Sequence, residues 1–453
     1  MKRNIALFFI VIASSFVAVQ PAFAQEQQQV PTLVLISNVN IFDGKNEKLH
    51  ENMHVLVKDN RIETISSEPL AVIQTDNVTI VDGGGRTLMP GLIDAHVHIS
   101  WVISSPYAMF DTTPDYQAAL TLAEAEATLM RGFTSVRDTT GQVFGAKRAI
   151  DEGLFPGPRI WASGAGISMT SGHGDFRFLS TLPRQMGGPA ETEAERIGLI
   201  AFADGVPEVL TAARVQMRKG AHFLKMFTSG AVSGLRDPLD IGEFSFDEIK
   251  AAADEAKRWN TYLAVHTYND IGTHLALEAG AMAIEHGNLM TEETMKLAAE
   301  KGAFFSTQTG GFLSIPPDDW NAAQIAKQKA TRDGLDTMFA AAKKYNVKIA
   351  LGTDLVGTPE VKAEQSNELS NRLPWFTPAE ILSQATANNG ELLAMSGPRN
   401  PYPGKLGVIA EGALADILLV NGNPLEDLTL FHDPEKNLAL IMKDGKIYKN
   451  IVK

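Results

Sequence analysis

The sequence contains no cysteine in 453 residues. This excludes disulfide staples and thiolate metal ligands together. Any metal must then be held by histidine, carboxylate or something less usual. Positive charge is also short: 40 Lys and Arg stand against 53 Asp and Glu, for a formal net charge of −13. An acidic surface argues against nucleic acid as a partner. Beyond the N-terminus, no stretch approaches the ~20 apolar residues of a membrane span. No G-x-G-x-x-G follows the first strand of the central region, so the dinucleotide-binding signature is missing. The glycine-rich stretch 164–174 lacks the Lys and the strand–helix setting of a phosphate loop.

The first 24 residues read as a signal peptide. Lys2 and Arg3 form a charged start, 5–19 is mostly apolar, and Ala22-Phe23-Ala24 is an A-x-A cleavage site before Gln25. The expectation is an exported protein, periplasmic or secreted, with no membrane partner once the leader is removed.

Two kinds of periodicity follow. Residues 32–42, 53–65 and 78–89 alternate apolar with polar, punctuated by Asp43-Gly44, Asp59-Asn60 and the glycines before Arg86. The pattern returns at 415–420 and 438–442, and Asp444-Gly445 signals a hairpin into 446–448. These ends predict one small β-sandwich built from both termini, 25–90 and 402–453. The middle, 91–401, alternates strand candidates (92–99, 134–138, 159–163, 223–228, 262–267, 283–287, 303–307, 348–354) with helical patterns rich in Ala, Leu, Glu and Lys, the last of them at 378–395. Eight such units predict an α/β fold, a (β/α)8 TIM-like barrel, ahead of an open doubly wound sheet.

A barrel carries its chemistry at the C-terminal ends of its strands. Strand one ends in His96 and His98, which share a face because strand side chains alternate. Strand four carries Lys225, strand five His266, strand six Glu285-His286-Gly287, and strand eight ends in Gly352-Thr353-Asp354. Two imidazoles on one face can be core histidines bonded to backbone, or a pair satisfied by one divalent metal. Four histidines, a lysine and an aspartate on one rim favour metal. Lys225 leaves two readings open. It pairs with a carboxylate such as Asp354, or burial lowers its pKa so that the neutral amine takes up CO2. The resulting carbamate is carboxylate-like and suits two bridged metals.

The motifs P-G-L-I-D-A-H-V-H (90–98), F-L-K-M (223–226), V-H-T-Y (265–268), I-E-H-G (284–287) and G-T-D (352–354) carry a resemblance to the amidohydrolase superfamily. So does the tail G-V-I-A-E-G-A-L-A-D-I-L-L-V-N-G-N-P-L (407–425). The resemblance implies two divalent ions, with Zn²⁺ the expected metal, and a carbamylated Lys225. His96, His98, Lys225 and Asp354 would hold the first ion; Lys225, His266 and His286 the second. Asp354 would also move the proton. Within the superfamily the chain resembles the prolidase-like bacterial Xaa-Pro and Xaa-Arg/Lys dipeptidases and the ochratoxin-hydrolysing amidases. Gly172-His173-Gly174-Asp175 and the H-T-Y ending in Tyr268 carry that likeness, placing His173 and Tyr268 near the scissile carbonyl. Asn269-Asp270 departs from the Pro-Arg-like pair of that group, leaving Arg236 as a substitute for holding a substrate carboxylate.

The reading is a metal-dependent hydrolase of an amide C–N bond in a small molecule, a dipeptide or N-acyl amino acid. The alternatives are hydrolysis of a cyclic amide, imidazolone or lactone, and an ochratoxin-type carboxypeptidase. Assembly into a homo-oligomer is left open by the residues.

Overall fold

The two periodicities become two different sheets. The computed structural model describes residues 31–452, so the expected leader, 1–24, lies outside the described residues. The chain opens with β1 (Leu33–Ile41), β2 (His50–Lys58), β3 (Arg61–Ser66), β4 (Val78–Asp82) and β5 (Thr87–Pro90). The centre supplies β6 (Leu92–Val97), β7 (Phe133–Asp138), β8 (Arg159–Ala162), β9 (Gly166–Ser168), β10 (Ile200–Phe202), β11 (Leu224–Phe227), β12 (Leu263–Asn269), β13 (Ala283–Leu289), β14 (Phe304–Thr307) and β15 (Lys348–Leu351). The chain closes with β16 (Ile417–Val420), β17 (Leu438–Lys443) and β18 (Lys446–Asn450).

Strands from both ends join in one sheet of order β18-β17-β16-β5-β1-β2-β3, with β4 also on β1. The join is the antiparallel pairing of β16 with β5, Leu419 opposite Leu88. This corrects the expected sandwich in one respect: the strands form a single continuous sheet, not two stacked ones. The sheet curls until its hairpin tips meet, Asn60 Nδ2 donating to Asp444 Oδ1 at 3.1 Å. Curling lets Ile36, Val55, Ile62, Leu419, Leu440 and Met442 share one apolar core, which a flat sheet could not provide.

The central strands run parallel in two ladders, β6-β7-β8 and β10-β9-β11-β12-β13-β14-β15. All eight expected strands are present, and β9 and β10 are additional. The third strand is interrupted: β8 bonds β7, while β9 meets β11 at Ile167 opposite Met226. The ladders are not continuous around the ring, and specific bonds span the gaps. At one seam His222 N donates to Ala162 O (2.9 Å) and His222 Nδ1 accepts from Ala162 N (2.8 Å). At the other, Asp354 N donates to His96 O (2.8 Å). Asn389 Nδ2 reaches Ile93 O and Leu351 O, tying the first and last strands together. Asn389 follows a π-helical turn, Gln384–Asn388, which interrupts the single helix expected over 378–395. The arrangement is TIM-barrel-like. Among the described residues no helix is long and apolar enough to cross a membrane.

Helices pack outside through small apolar faces. Phe246–Arg258 begins at a Ser245–Glu248 capping box and buries Ile249, Ala252, Ala253 and Ala256, one stripe at helical spacing. Inside, Trp161, Phe223, Tyr262 and Phe304 form a floor with Ile93 and Ala95 of β6.

Candidate metal centre

The floor poses a problem for His96 and His98. With Ile93 and Ala95 facing inward, strict alternation would send both histidines outward. The pairing of β6 with β7 slips instead. Asp94 faces Val136 and Val97 faces Asp138, three residues against two. This bulge turns the strand by one residue, so His96 and His98 face the interior while Val97 and Ile99 pack outside with Val136.

Six sequence-predicted residues meet above the floor. Asp354 Oδ1 lies 2.9 Å from His98 Nε2 and 3.3 Å from His96 Nε2. One ligand atom from each of these three falls within 4.8 Å of the others. His286 Nε2 stands 2.9 Å from His266 Nδ1, and 3.9 Å from Asp354 Oδ2. Lys225 is buried nearby, its charge coupled to Glu285 and Asp354. His286 and Asp354 have φ of +75° and +53°, a left-handed backbone that branched or bulky residues rarely adopt and that concentrates at functional sites. At Gly352 a Cβ would come within 2.6 Å of the His96 Cβ, so only glycine lets the chain pass His96.

Electrostatics favour the neutral form at three of the four imidazoles; at His96 burial is outweighed by the Asp354 and Glu285 carboxylates, which raise it. Burial pushes His286 down to about 3 and His98 below its ordinary value. Burial and the neighbouring His286 hold His266 far down. These imidazoles are neutral, as ligands must be. Burial drives Asp354 upward, but the His96 charge and the bonds from His96 and His98 more than reverse this and hold it well below the usual range. Lys225 falls to about 8 through burial. Lys225 Nζ, His266 Nε2 and His286 Nδ1 are buried without a hydrogen-bond partner among the described residues. Buried polar groups rarely go unpaired. Orphaned nitrogens beside a His-His-Asp cluster fit divalent metal, and Lys225 has no ion-pair partner among the described residues.

His173 and Tyr268 flank this group. The His173 ring lies flat on His266, centroids 4.5 Å apart, and Tyr268 lies flat on His286 at 4.4 Å. The Tyr268 hydroxyl makes no hydrogen bond to the described residues, while its backbone N donates to Ser229 Oγ. Asn269 and Asp270 are engaged elsewhere. Asn269 caps a helix and donates to Leu239 O and Ile241 O; Asp270 accepts from Thr291. Neither is free to hold a substrate carboxylate. Arg236 is exposed, with no ion pair among the described residues.

Sequence reasoning missed the supports. Glu285 Oε2 lies 2.9 Å from His96 Nδ1, and Oε1 takes a 2.6 Å bond from Arg137, both residues fully buried. A charged residue within the strand candidate 134–138 was the available signal for Arg137. Asp237, 2.8 Å from His173 Nδ1, lies in a loop with no pattern to reveal it. A row of rings also leads outward from His98 through Trp101, Phe176, Phe110 and Tyr107 to Phe178, with centroid steps of 5.2–6.2 Å.

Comparison with known proteins identifies the family and the fold. The amidohydrolase family model matches residues 87–453. Ochratoxinase from Aspergillus niger is 32% identical over 381 residues, covering 80% of this chain and 75% of that protein. Its crystal structure superposes with a TM-score of 0.81 at 29% identity, over 93% of this chain and 96% of that one. A prolidase structure complexed with N-methylphosphonate-L-proline has a TM-score of 0.83 and 32% identity, over 92% and 100%. Imidazolonepropionase from Deinococcus radiodurans is 25% identical over 390 residues, 82% of this chain and 86% of that protein. By sequence and by fold, the chain belongs to the amidohydrolase family, whose enzymes act on amide and other C–N bonds.

Proposed function

We propose that the protein is an exported metal-dependent hydrolase that cleaves the amide bond of a dipeptide or N-acyl amino acid. Lys225 is the observation that carries this reading. It is a buried amine without a hydrogen-bond partner among the described residues, lowered to about 8, on a rim with four imidazoles and a carboxylate. At neutral pH part of it is uncharged. Its Nζ lone pair attacks the carbon of CO2, one N–H proton leaves, and a carbamate results. His96, His98 and Asp354 would hold one ion and His266 and His286 the other, with carbamylated Lys225 a ligand to both. Two divalent ions, Zn²⁺ given these nitrogen and oxygen ligands, would supply a hydroxide nucleophile at neutral pH and polarise the amide carbonyl.

The chain's own residues do the rest. The Asp354 carboxylate takes the proton of the attacking water and returns it to the leaving nitrogen. The Tyr268 hydroxyl and the His173 ring donate hydrogen bonds to the carbonyl oxygen as negative charge develops there. Arg236, exposed and without an ion pair among the described residues, would receive a substrate carboxylate. The ring row from Trp101 to Phe178 suits a substrate with a large apolar group beside the scissile bond. Names of relatives support the bond class: prolidase and ochratoxinase.

The test is metal analysis of the purified protein followed by a screen of dipeptides and N-acyl amino acids with varied C-terminal residues. Two ions per chain and hydrolysis of at least one series are expected. Labelled bicarbonate should give a carbamate carbon signal that Lys225→Ala abolishes. Full activity with one ion, or no hydrolysis in either series, would overturn the reading in favour of a cyclic amide or lactone. Export is checked by the mature N-terminus, expected at Gln25.

A further inference from the structure

One stretch of chain, residues 228–243 after β11, grips His173 twice. Glu243 Oε1 accepts from the His173 backbone N at 2.7 Å. Asp237 Oδ2 lies 2.8 Å from the ring Nδ1 and also accepts from Ala231 N at 2.9 Å. A carboxylate only accepts, so Nδ1 carries the proton in this bond. The other ring nitrogen, Nε2, makes no hydrogen bond among the described residues and is not enclosed.

The stretch is itself braced. Lys327, on the helix Ala322–Lys344, donates from Nζ to Ala231 O at 2.5 Å, Gly234 O at 2.6 Å and Asp237 O at 3.3 Å. Gly234 wraps closely around the Asp237 carboxylate. A Cβ there would stand 1.7 Å from Oδ1, so any side chain would push the acid off the histidine. Most surface His–Asp pairs are solvated and hold nothing in place. Here the Asp237 side chain is only 6% exposed, and the histidine it holds lies flat on His266.

We propose that Asp237 is a positioning residue for amide hydrolysis. It fixes the plane of His173 and takes its Nδ1–H, so that Nε2 faces the site and is the nitrogen that donates to the substrate carbonyl when the ring carries both protons. The proposal rests on the role given to His173 above. Asp237 touches neither substrate nor metal. It prevents ring flipping, and its charge balances the ring when both nitrogens carry protons.

The test uses the metal-loaded full chain, a substrate from the screen, and the variants Asp237→Asn, His173→Ala and their double. Asp237→Asn should lower kcat by about 10–100-fold, the usual cost of removing an orienting partner. KM should stay within about twofold. Metal content should not change, and the double variant should be no slower than His173→Ala alone. A crystal structure of Asp237→Asn should show the ring turned off His266. If Asn is not tolerated, Asp237→Ser keeps an acceptor for Ala231 N while dropping the ring contact. Undiminished kcat in Asp237→Asn beside a damaged His173→Ala would overturn the proposal alone. So would multiplying losses in the double variant, or loss of metal from Asp237→Asn. A silent His173→Ala would instead remove the role of His173 itself, and that of Asp237 with it.

Discussion

Asp354 joins three properties that one residue seldom combines. It contacts two imidazoles, sits in a left-handed backbone, and is held ionised despite its surroundings. A carboxylate that starts the cycle ionised cannot begin it as an acid, but it can receive a proton and give it up again. Asp354→Asn should therefore lower turnover by about 10²–10⁴-fold while leaving thermal stability close to that of the parent. Metal analysis on the same sample separates loss of the proton carrier from loss of a ligand. Unchanged turnover would move the base to another residue. At this scale the sequence was legible for the candidate ligands, because each sits at a strand end within a recognisable run. It was silent on what holds them. Glu285 stood in view beside His286, yet its task depends on Arg137 of a different strand. Asp237 depends on a loop path that periodicity does not constrain.

Elements were legible as a sequence of strands and helices, but the details that aim the site were not. The bulge in β6 is a one-residue slip that leaves the apolar pattern intact, and the break in the third strand is equally hidden. That break leaves β8 joined to the start of β11 largely through His222. Its Nδ1 accepts from Ala162 N, and burial lowers it to about 4. Acceptance requires the neutral ring. The folded value lies below the ordinary 6.5, so this group gives its full stabilisation above pH 6.5 and loses it as pH falls through about 4. The full swing is of order 3 kcal/mol. Asn at this position offers an oxygen acceptor that does not titrate. Between pH 7 and pH 4.5, thermal denaturation should show the parent losing more stability than His222→Asn. Parallel losses would mean that His222 does not titrate across the seam.

For the molecule as a whole, the alternating ends and the βα centre suggested separate domains at 25–90 with 402–453, and at 91–401. The structure gives them a shared interior. Residues Thr32–Lys453 cluster as one compact unit. Leu418, Val420, Leu438 and Ile441 belong to the same apolar cluster as Leu92, Leu129 and Phe133 of the barrel-like part. Arg159 of β8 meets Asp416 at 2.8 Å, both side chains nearly buried, and reaches Asp444 at 2.6 Å. A pattern of strands could not reveal this, because it says which face is apolar but not what that face covers. A chain ending at residue 401 would expose the partners of those four side chains, each worth roughly 1.5–3 kcal/mol when buried. It would also strip Arg159 of both its carboxylates, a loss of about 3–5 kcal/mol for a buried pair. Together these match or exceed the ~5–15 kcal/mol that holds an ordinary domain folded. The truncated chain should therefore give no cooperative unfolding transition in calorimetry, while the chain from Gln25 to Lys453 unfolds in one. A sharp transition in the truncated chain would show that the catalytic part folds without the terminal sheet, and that the sheet serves a purpose other than completing its core.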